Sequence, residues 1–446
     1  MSGLSPPPPL PARPAITSTY IASGTEGCIV DPALPNLSEN RSRWEEYPDY
    51  VTKLYKNSEQ FDKALTNSQK ITALLHNNSH AVYPYRYKEY RGVNIPTTIK
   101  ERQPNGSILN VPTISKCGIR GKDLLLPLRM KNLGVSIEHL SKNKAGSLDK
   151  AKTIPFTTIL DNINRIYRQI RTLFTNGYIH GDVRQTNIML DPNTGKITLI
   201  DFGWLYPVDE FFDGYMGALG FYSNPPESLF YCFMDDNKYH DRFRYLSWIV
   251  GSKTTEESIR NIIPNHFSEG ITLPVRRSIT NYLYGSSASK NTIDIADLQT
   301  ALTNAALYFK SKIAVENPRN YGDEYKQYYT LMAPSFDLYG LSFTIHMLIQ
   351  SVYASLDTIT KGSTPYSGEE LTLIETTIKD LVRNVIKPGM DLDITKRINI
   401  LQACERLDFI LNTYHDAKNS MAGGRRRRKT QKRRRTGRRA VSLRRK

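Results

Sequence analysis

Two aspartates and an asparagine fall within one short stretch, "YIHGDVRQTNIMLDPNTGKITLIDFGW", residues 178–204. Asp182 and Asn187 are five residues apart, and Asp201 follows fourteen residues after Asn187, beyond the turn-forming "DPNTG". A loop followed by a return strand can bring two carboxylates and a carboxamide to one point. Hard oxygen donors of this kind suit Mg²⁺ shared between protein and phosphates, while a further carboxylate orients a hydroxyl. The chemistry that fits these residue types is phosphoryl transfer.

The surrounding sequence supplies elements that could position them. Upstream, Ile159, Leu160, Ile163, Ile166, Tyr167, Ile170, Leu173 and Phe174 recur at helical spacing, and Gly177 stands where it can cap that helix. The apolar runs "YIHGDV" and "KITLIDF" flank "DPNTG" and predict a hairpin-like pair with polar residues at its ends. Further helices are predicted at about 58–76, 337–356, 368–386 and 394–415. Residues 18–130 otherwise read as short β runs between polar loops, "YVTKLY" and "SILNVPTI" among them. The predicted class is α+β, a small β-rich half followed by a larger helical half.

"HGDVRQTN" resembles the catalytic loop H-R-D-x-x-x-x-N of protein kinases, and "DFG" at 201–203 is identical to their metal-binding triplet. The resemblance implies a bilobal protein-kinase-like fold, with an N-lobe over 18–130 and a C-lobe over 131–418, using ATP and Mg²⁺. It implies that Asp182 orients the acceptor hydroxyl and accepts its proton, that Arg184 steadies the γ-phosphate, and that Asn187 and Asp201 hold metal. "IASGTEGCIV" is similar to the glycine-rich loop, with Gly24 and Gly27 at its second and third glycines and Ala22 at the first. Glycine there lets backbone N–H groups approach phosphates with no Cβ in the way. Lys53 in "YVTKLY" resembles the strand lysine that pairs with the α and β phosphates, and Glu59, then Asp62, are the acids expected to face it. "LLLPLRMKNLGVSIEHL" resembles the strand and linker between lobes, which implies adenine contacts from the main chain of Met130 to Leu133.

Downstream, "YSNPPESLF" resembles the element that closes the activation segment, implying an ion pair from Glu227 to a buried arginine, Arg397. "SFDLYGLSF" resembles the helix whose aspartate, Asp337, holds the catalytic-loop backbone. The span between them implies a long helical insertion at about 228–336. Gly181 replaces the arginine of H-R-D, which argues against control through an activation-loop phosphate. H-G-D also occurs in kinases of small molecules, so that class stays open beside the first expectation, a serine/threonine protein kinase with a protein substrate. A pseudokinase scaffold is the third reading.

The formal net charge of +17 falls to +3 once the 14 lysines and arginines of residues 425–446 are set aside, and that segment carries no acidic residue. The basicity belongs to a tail, 419–446, expected to be a flexible polycation that binds nucleic acid or directs nuclear import. Residues 1–17 are too proline-rich for helix or sheet, and "PPLPAR" within them fits a polyproline receptor. Cys28, Cys117, Cys232 and Cys404 are far apart with no C-x-x-C pair, which speaks against a zinc site or disulfide framework. No signal pattern and no membrane span is read, so reduced thiols and an intracellular protein are expected. The catalytic phrase together with the Gly-Gly-then-arginine ending resembles kinase-like proteins of giant nucleocytoplasmic DNA viruses. That resemblance implies action in the host cytoplasm or nucleus and packaging in the virion with the genome.

Overall fold

The computed structural model of the protein describes residues 19–23, 27–31, 50–75, 98–102, 107–112, 117, 126–141, 146–209, 225–228, 249–250, 253–266, 295–313, 321–353 and 366–443. The proline-rich arm at 1–17 and the glycine-turn residue Gly24 lie outside them. The protein is α+β, mostly helical, with a few small sheets. It divides into two compact units, Met1–Asn132 and Leu133–Lys446, a boundary two residues beyond the 130/131 division read from sequence.

The first unit is built on a six-stranded sheet. Its strands are β1 (Thr19–Ser23), β2 (Gly27–Asp31), β3 (Tyr50–Tyr55), β4 (Thr98–Arg102), β5 (Ile108–Pro112) and β6 (Leu126–Lys131), in the order β5-β4-β1-β2-β3-β6. All neighbours are antiparallel except β1 and β4, which share a parallel bridge at Thr19 and Lys100. The β-branched and aromatic residues of "YVTKLY" form β3, and its last five residues are all buried, as expected of a strand with neighbours on both sides. Helix α1 (Ser58–Leu74) follows, capped by Asn57, whose side chain accepts from Gln60 N–H at 2.9 Å. Cys28 on β2 is disulfide-bonded to Cys117, 89 residues away, which corrects the expectation of four reduced thiols. Their Cα atoms lie 4.9 Å apart, a proximity that chain spacing cannot report. Cys404 is a buried free thiol, and burial pushes its pKa up to about 12; Cys232 lies outside the described residues.

The second unit opens with β7 (Val135–Ser136), α2 (Ile137–Ser141), α3 (Ser147–Lys152) and the amphipathic α4 (Phe156–Thr175). The predicted apolar stripe of α4 is its buried face: Ile159, Leu160, Ile163, Ile166, Tyr167, Ile170 and Leu173 are each at most 2% exposed. Gly177, with φ +78°, ends the helix and turns the chain into β8 (Tyr178–Ile179). The predicted hairpin is present but narrower than read. It joins only β9 (Ile188–Leu190) to β10 (Ile197–Leu199), while β8 pairs with β11 (Tyr206–Pro207). Gly134 holds φ +94° where a Cβ would lie 2.3 Å from the Leu190 carbonyl oxygen, so only glycine admits the β7–β9 pairing that follows.

The remaining helices are α5 (Glu256–His266), α6 (Ile295–Lys312), α7 (Tyr321–Tyr353), α8 (Gly368–Leu381) and α9 (Ile400–Leu443). In place of the single predicted helix at 368–386, α8 gives way to a π-helical stretch, Val382–Ile386, and a last turn at Lys387–Gly389. The described part of the predicted insertion is helical, and α5 and α6 share a core with Ile179, Phe336, Phe343 and Ile394. α7 begins at Tyr321, ahead of the start at 337 expected for that helix, and runs through position 336 without a break. The expected flexible tail is also corrected: α9 continues through the basic segment to Leu443. Its first turns pack against α4, which supplies a formed helix for the basic segment to extend; arginine, lysine and glutamine are good helix formers, while Gly423, Gly424 and Gly437 and the run of like charges work against it. Among the described residues, no helix is long and apolar enough to cross a membrane.

Candidate functional site

The loop from His180 to Asn187 connects β8 to β9 and is almost entirely buried. Buried backbone donors must find acceptors, and here they find a side chain. The carboxylate of Asp337, on α7, accepts from the N–H of His180 at 2.6 Å and of Gly181 at 2.9 Å. Gly181 sits at φ +77°, a conformation that suits glycine and turns its N–H toward the same carboxylate. Burial pushes the Asp337 carboxyl up to about 6, and the two donated hydrogen bonds work in the opposite direction.

His180 is fully buried and joins the two halves of the site. Its Nδ1 accepts from Asp182 N–H at 3.3 Å, and its Nε2 lies 3.0 Å from the Ile200 carbonyl oxygen, so the neutral ring carries its proton on Nε2. Its ring also stands 4.9 Å from that of Phe202. Desolvation pushes its pKa down to about 4 from the ordinary 6.5, which keeps the imidazole neutral.

Asp182 is 5% exposed, and two groups hold its side chain. The Nδ2 of Asn187 donates to Asp182 Oδ2 at 2.7 Å and to the Asp182 carbonyl at 2.9 Å. Arg184 Nη2 lies 3.1 Å from the same Oδ2. With its amide nitrogen committed twice, Asn187 keeps its side-chain oxygen as an acceptor, and the Thr186 hydroxyl donates to it at 3.3 Å. The Asn187 carbonyl accepts from Ile200 N–H at 2.9 Å, which ties the loop to the residue before Asp201. Asp201 occupies the left-handed region, φ +64° and ψ +63°, and among the described residues no other non-glycine residue has a positive φ. Aspartate is one of the few non-glycine residues that enters this region readily.

Behind the loop, Arg397 forms a bidentate pair with Glu227, Nη1 donating to Oε1 and Nη2 to Oε2 at 3.0 Å. Both side chains are at most 1% exposed. The pair expected from the sequence is therefore present, and so is the expected hold of Asp337 on the loop.

In the first unit, Lys53 is 8% exposed on β3, between Ile29 of β2 and Leu128 of β6, with Nζ 4.7 Å from the centre of the Tyr55 ring. Gly27 begins β2 and pairs with Tyr55; Met130, on β6, pairs with Val51 of β3. Leu133 is the half-buried first residue of the second unit. Glu59 and Asp62 are exposed in the first turns of α1, and Glu59 stands where an acid complements the helix dipole. In the second unit the structure thus brings together Asp182, Arg184 and Asn187, with Asp201 one residue beyond Ile200, which bonds Asn187 and His180. The sequence reading missed His180, whose signal was its place before Gly181 and Asp182.

Among the described residues, no group of three or more His, Cys, Asp or Glu side chains could hold a metal ion. A set made of one carboxylate and one carboxamide oxygen suits a hard cation whose remaining ligands come from phosphate and water.

The opposed shifts at His180 and Asp337 have a measurable consequence. His180 titrates at about 4 in the fold against 6.5 unfolded, so between these values the unfolded chain binds the extra proton and acidification costs stability. Asp337 works in reverse, because its raised folded pKa makes the folded state take up a proton first as pH falls. His180→Gln removes only the former contribution. Its stability relative to the wild type is expected to improve by up to about 3 kcal/mol from pH 6.5 to 4, read by urea denaturation at each pH. A pH-independent difference would contradict a buried neutral imidazole.

No protein-family model matches the chain, and a search of curated proteins finds no similar sequence.

Proposed function

We propose that the protein is a phosphotransferase of the protein-kinase superfamily, with a bilobal kinase-like fold, moving the γ-phosphoryl group of ATP onto a serine or threonine hydroxyl of a protein. The observation that carries this reading is the Asp182 carboxylate fixed by Asn187 and Arg184 on a loop whose backbone is clamped by Asp337. Asp182 orients the acceptor hydroxyl and takes its proton. Asn187 fixes the carboxylate through its nitrogen and offers its oxygen, with Asp201, to Mg²⁺. Mg²⁺, when bound, neutralises charge developing on the transferring phosphoryl group. Arg184 is close enough to Asp182 to steady the γ-phosphate beside it. The resemblance to protein kinases assigns Lys53, Gly24 and Gly27 to the phosphates of ATP and the main chain of Met130 to Leu133 to the adenine.

A second reading, a kinase of small molecules, is favoured by Gly181. Its left-handed backbone and its hydrogen bond to Asp337 occupy the place where a regulated protein kinase carries arginine.

Nucleotide binding tests the common core of both readings. MgATP at about 100 times its Kd is expected to stabilise the wild type by about 2.7 kcal/mol, and Asp201→Ala or EDTA is expected to abolish most of that gain. A thermal-shift titration reads it, and stabilisation that survives both treatments would contradict the assigned metal ligands.

A further inference from the structure

The basic segment at 425–446 contains three hydroxyl residues, Thr430, Thr436 and Ser442, spaced six apart. Each has an arginine three residues before it: Arg427, Arg433 and Arg439. A hydroxyl with arginine at that offset is a charge pattern that an arginine-directed protein kinase can read. The segment continues α9, whose proximal half is anchored through buried Ala403, Cys404, Leu407, Ile410 and Tyr414. At 1.5 Å per residue, the helical stretch from 425 to 443 is about 28 Å long, a little over four-fifths of one turn of duplex DNA at about 34 Å.

We propose that this segment binds duplex nucleic acid and that phosphorylation of Thr430, Thr436 and Ser442 releases it. The choice of nucleic acid over a membrane surface rests on composition. The 22 residues hold 14 lysines and arginines but only Ala440, Val441 and Leu443 as apolar residues, too few to bury a face in lipid. Phosphodiester charge along a groove matches such a run, and counterion release supplies affinity without base sequence preference.

In each modification the hydroxyl oxygen bonds to the γ-phosphorus of a nucleoside triphosphate and the bond from that phosphorus to the β,γ-bridging oxygen breaks. Nucleoside diphosphate leaves, and the hydroxyl proton passes to a base on the modifying kinase. Each phosphate adds about −1.5 to −2 charge, so three offset roughly five of the fourteen positive charges. The proposal does not depend on the activity assigned to Asp182, because any arginine-directed kinase can supply the step.

The test uses the full chain, treated with MgATP and a kinase that requires arginine at the third position before the acceptor, with phosphates located by mass spectrometry. Binding to a fluorescent 30-base-pair duplex is followed by anisotropy from about 50 to 200 mM salt. Phosphate on all three residues is expected, with Kd rising on the order of 10²-fold at 150 mM salt and a shallower salt slope. The triple variant Thr430→Ala, Thr436→Ala, Ser442→Ala is expected to bind like the untreated wild type and to keep its grip after treatment. Phosphate absent from these residues, an unchanged Kd after full modification, or binding to anionic phosphatidylserine vesicles but not to duplex overturns the proposal.

Discussion

Replacing Asp182 by asparagine is expected to lower phosphate transfer by about 10²–10⁴-fold while leaving MgATP affinity nearly unchanged. The substitution keeps size and shape but removes the group that accepts the hydroxyl proton. It also removes the negative charge that Arg184 and Asn187 now hold at 3.1 Å and 2.7 Å. Nothing assigned to the nucleotide is deleted, so the loss belongs in kcat. A variant that transfers phosphate at the wild-type rate would show that Asp182 is a buried structural carboxylate whose proton chemistry is not used.

Arg397→Ala is expected to destabilise the second unit by about 3–5 kcal/mol, read by chemical denaturation. The partner, Glu227, is 1% exposed and would be left as an uncompensated carboxylate. The arginine also donates from Nε to the Asp391 carbonyl at 2.8 Å, and its guanidinium lies 5.0 Å from the Tyr339 ring, so packing is lost together with charge. Because the penalty comes mainly from stranding the acid, the double variant Arg397→Met, Glu227→Leu is expected to recover a large part of it. A cost below about 1 kcal/mol for Arg397→Ala would mean that water reaches Glu227 and that the pair behaves like a surface bridge.

Elements governed by local periodicity were legible. The stripe of α4 and its glycine terminus follow from residue types alone, and so does β3 over "YVTKLY". Glu227, Arg397 and Asp337 were legible through the order of motifs, and the contacts among these distant residues match it. "YIHGDV" was read too long as a strand because its apolar residues suggest a ladder. Beyond Ile179 the backbone donors of His180 and Gly181 turn to the Asp337 carboxylate, 157 and 156 residues away, and no local pattern encodes that choice. The disulfide between Cys28 and Cys117 is hidden for the same reason. The helix through the basic tail is not legible in its composition, because the packed turns that precede it are what it extends. Spacing from Lys53 singles out Glu59 and Asp62 as its acidic partners, yet both are exposed on α1 while Lys53 is buried.

The most direct test of the central claim is transfer of labelled γ-phosphate from MgATP to a panel of protein acceptors and, in parallel, of small-molecule alcohols, comparing the wild type with Asp182→Asn. Acid-stable label on protein serine or threonine, lost in the variant, is the expected result. Label appearing only on small molecules would replace the acceptor class, and MgATP binding with no transfer to any acceptor would contradict the assignment of a phosphotransferase.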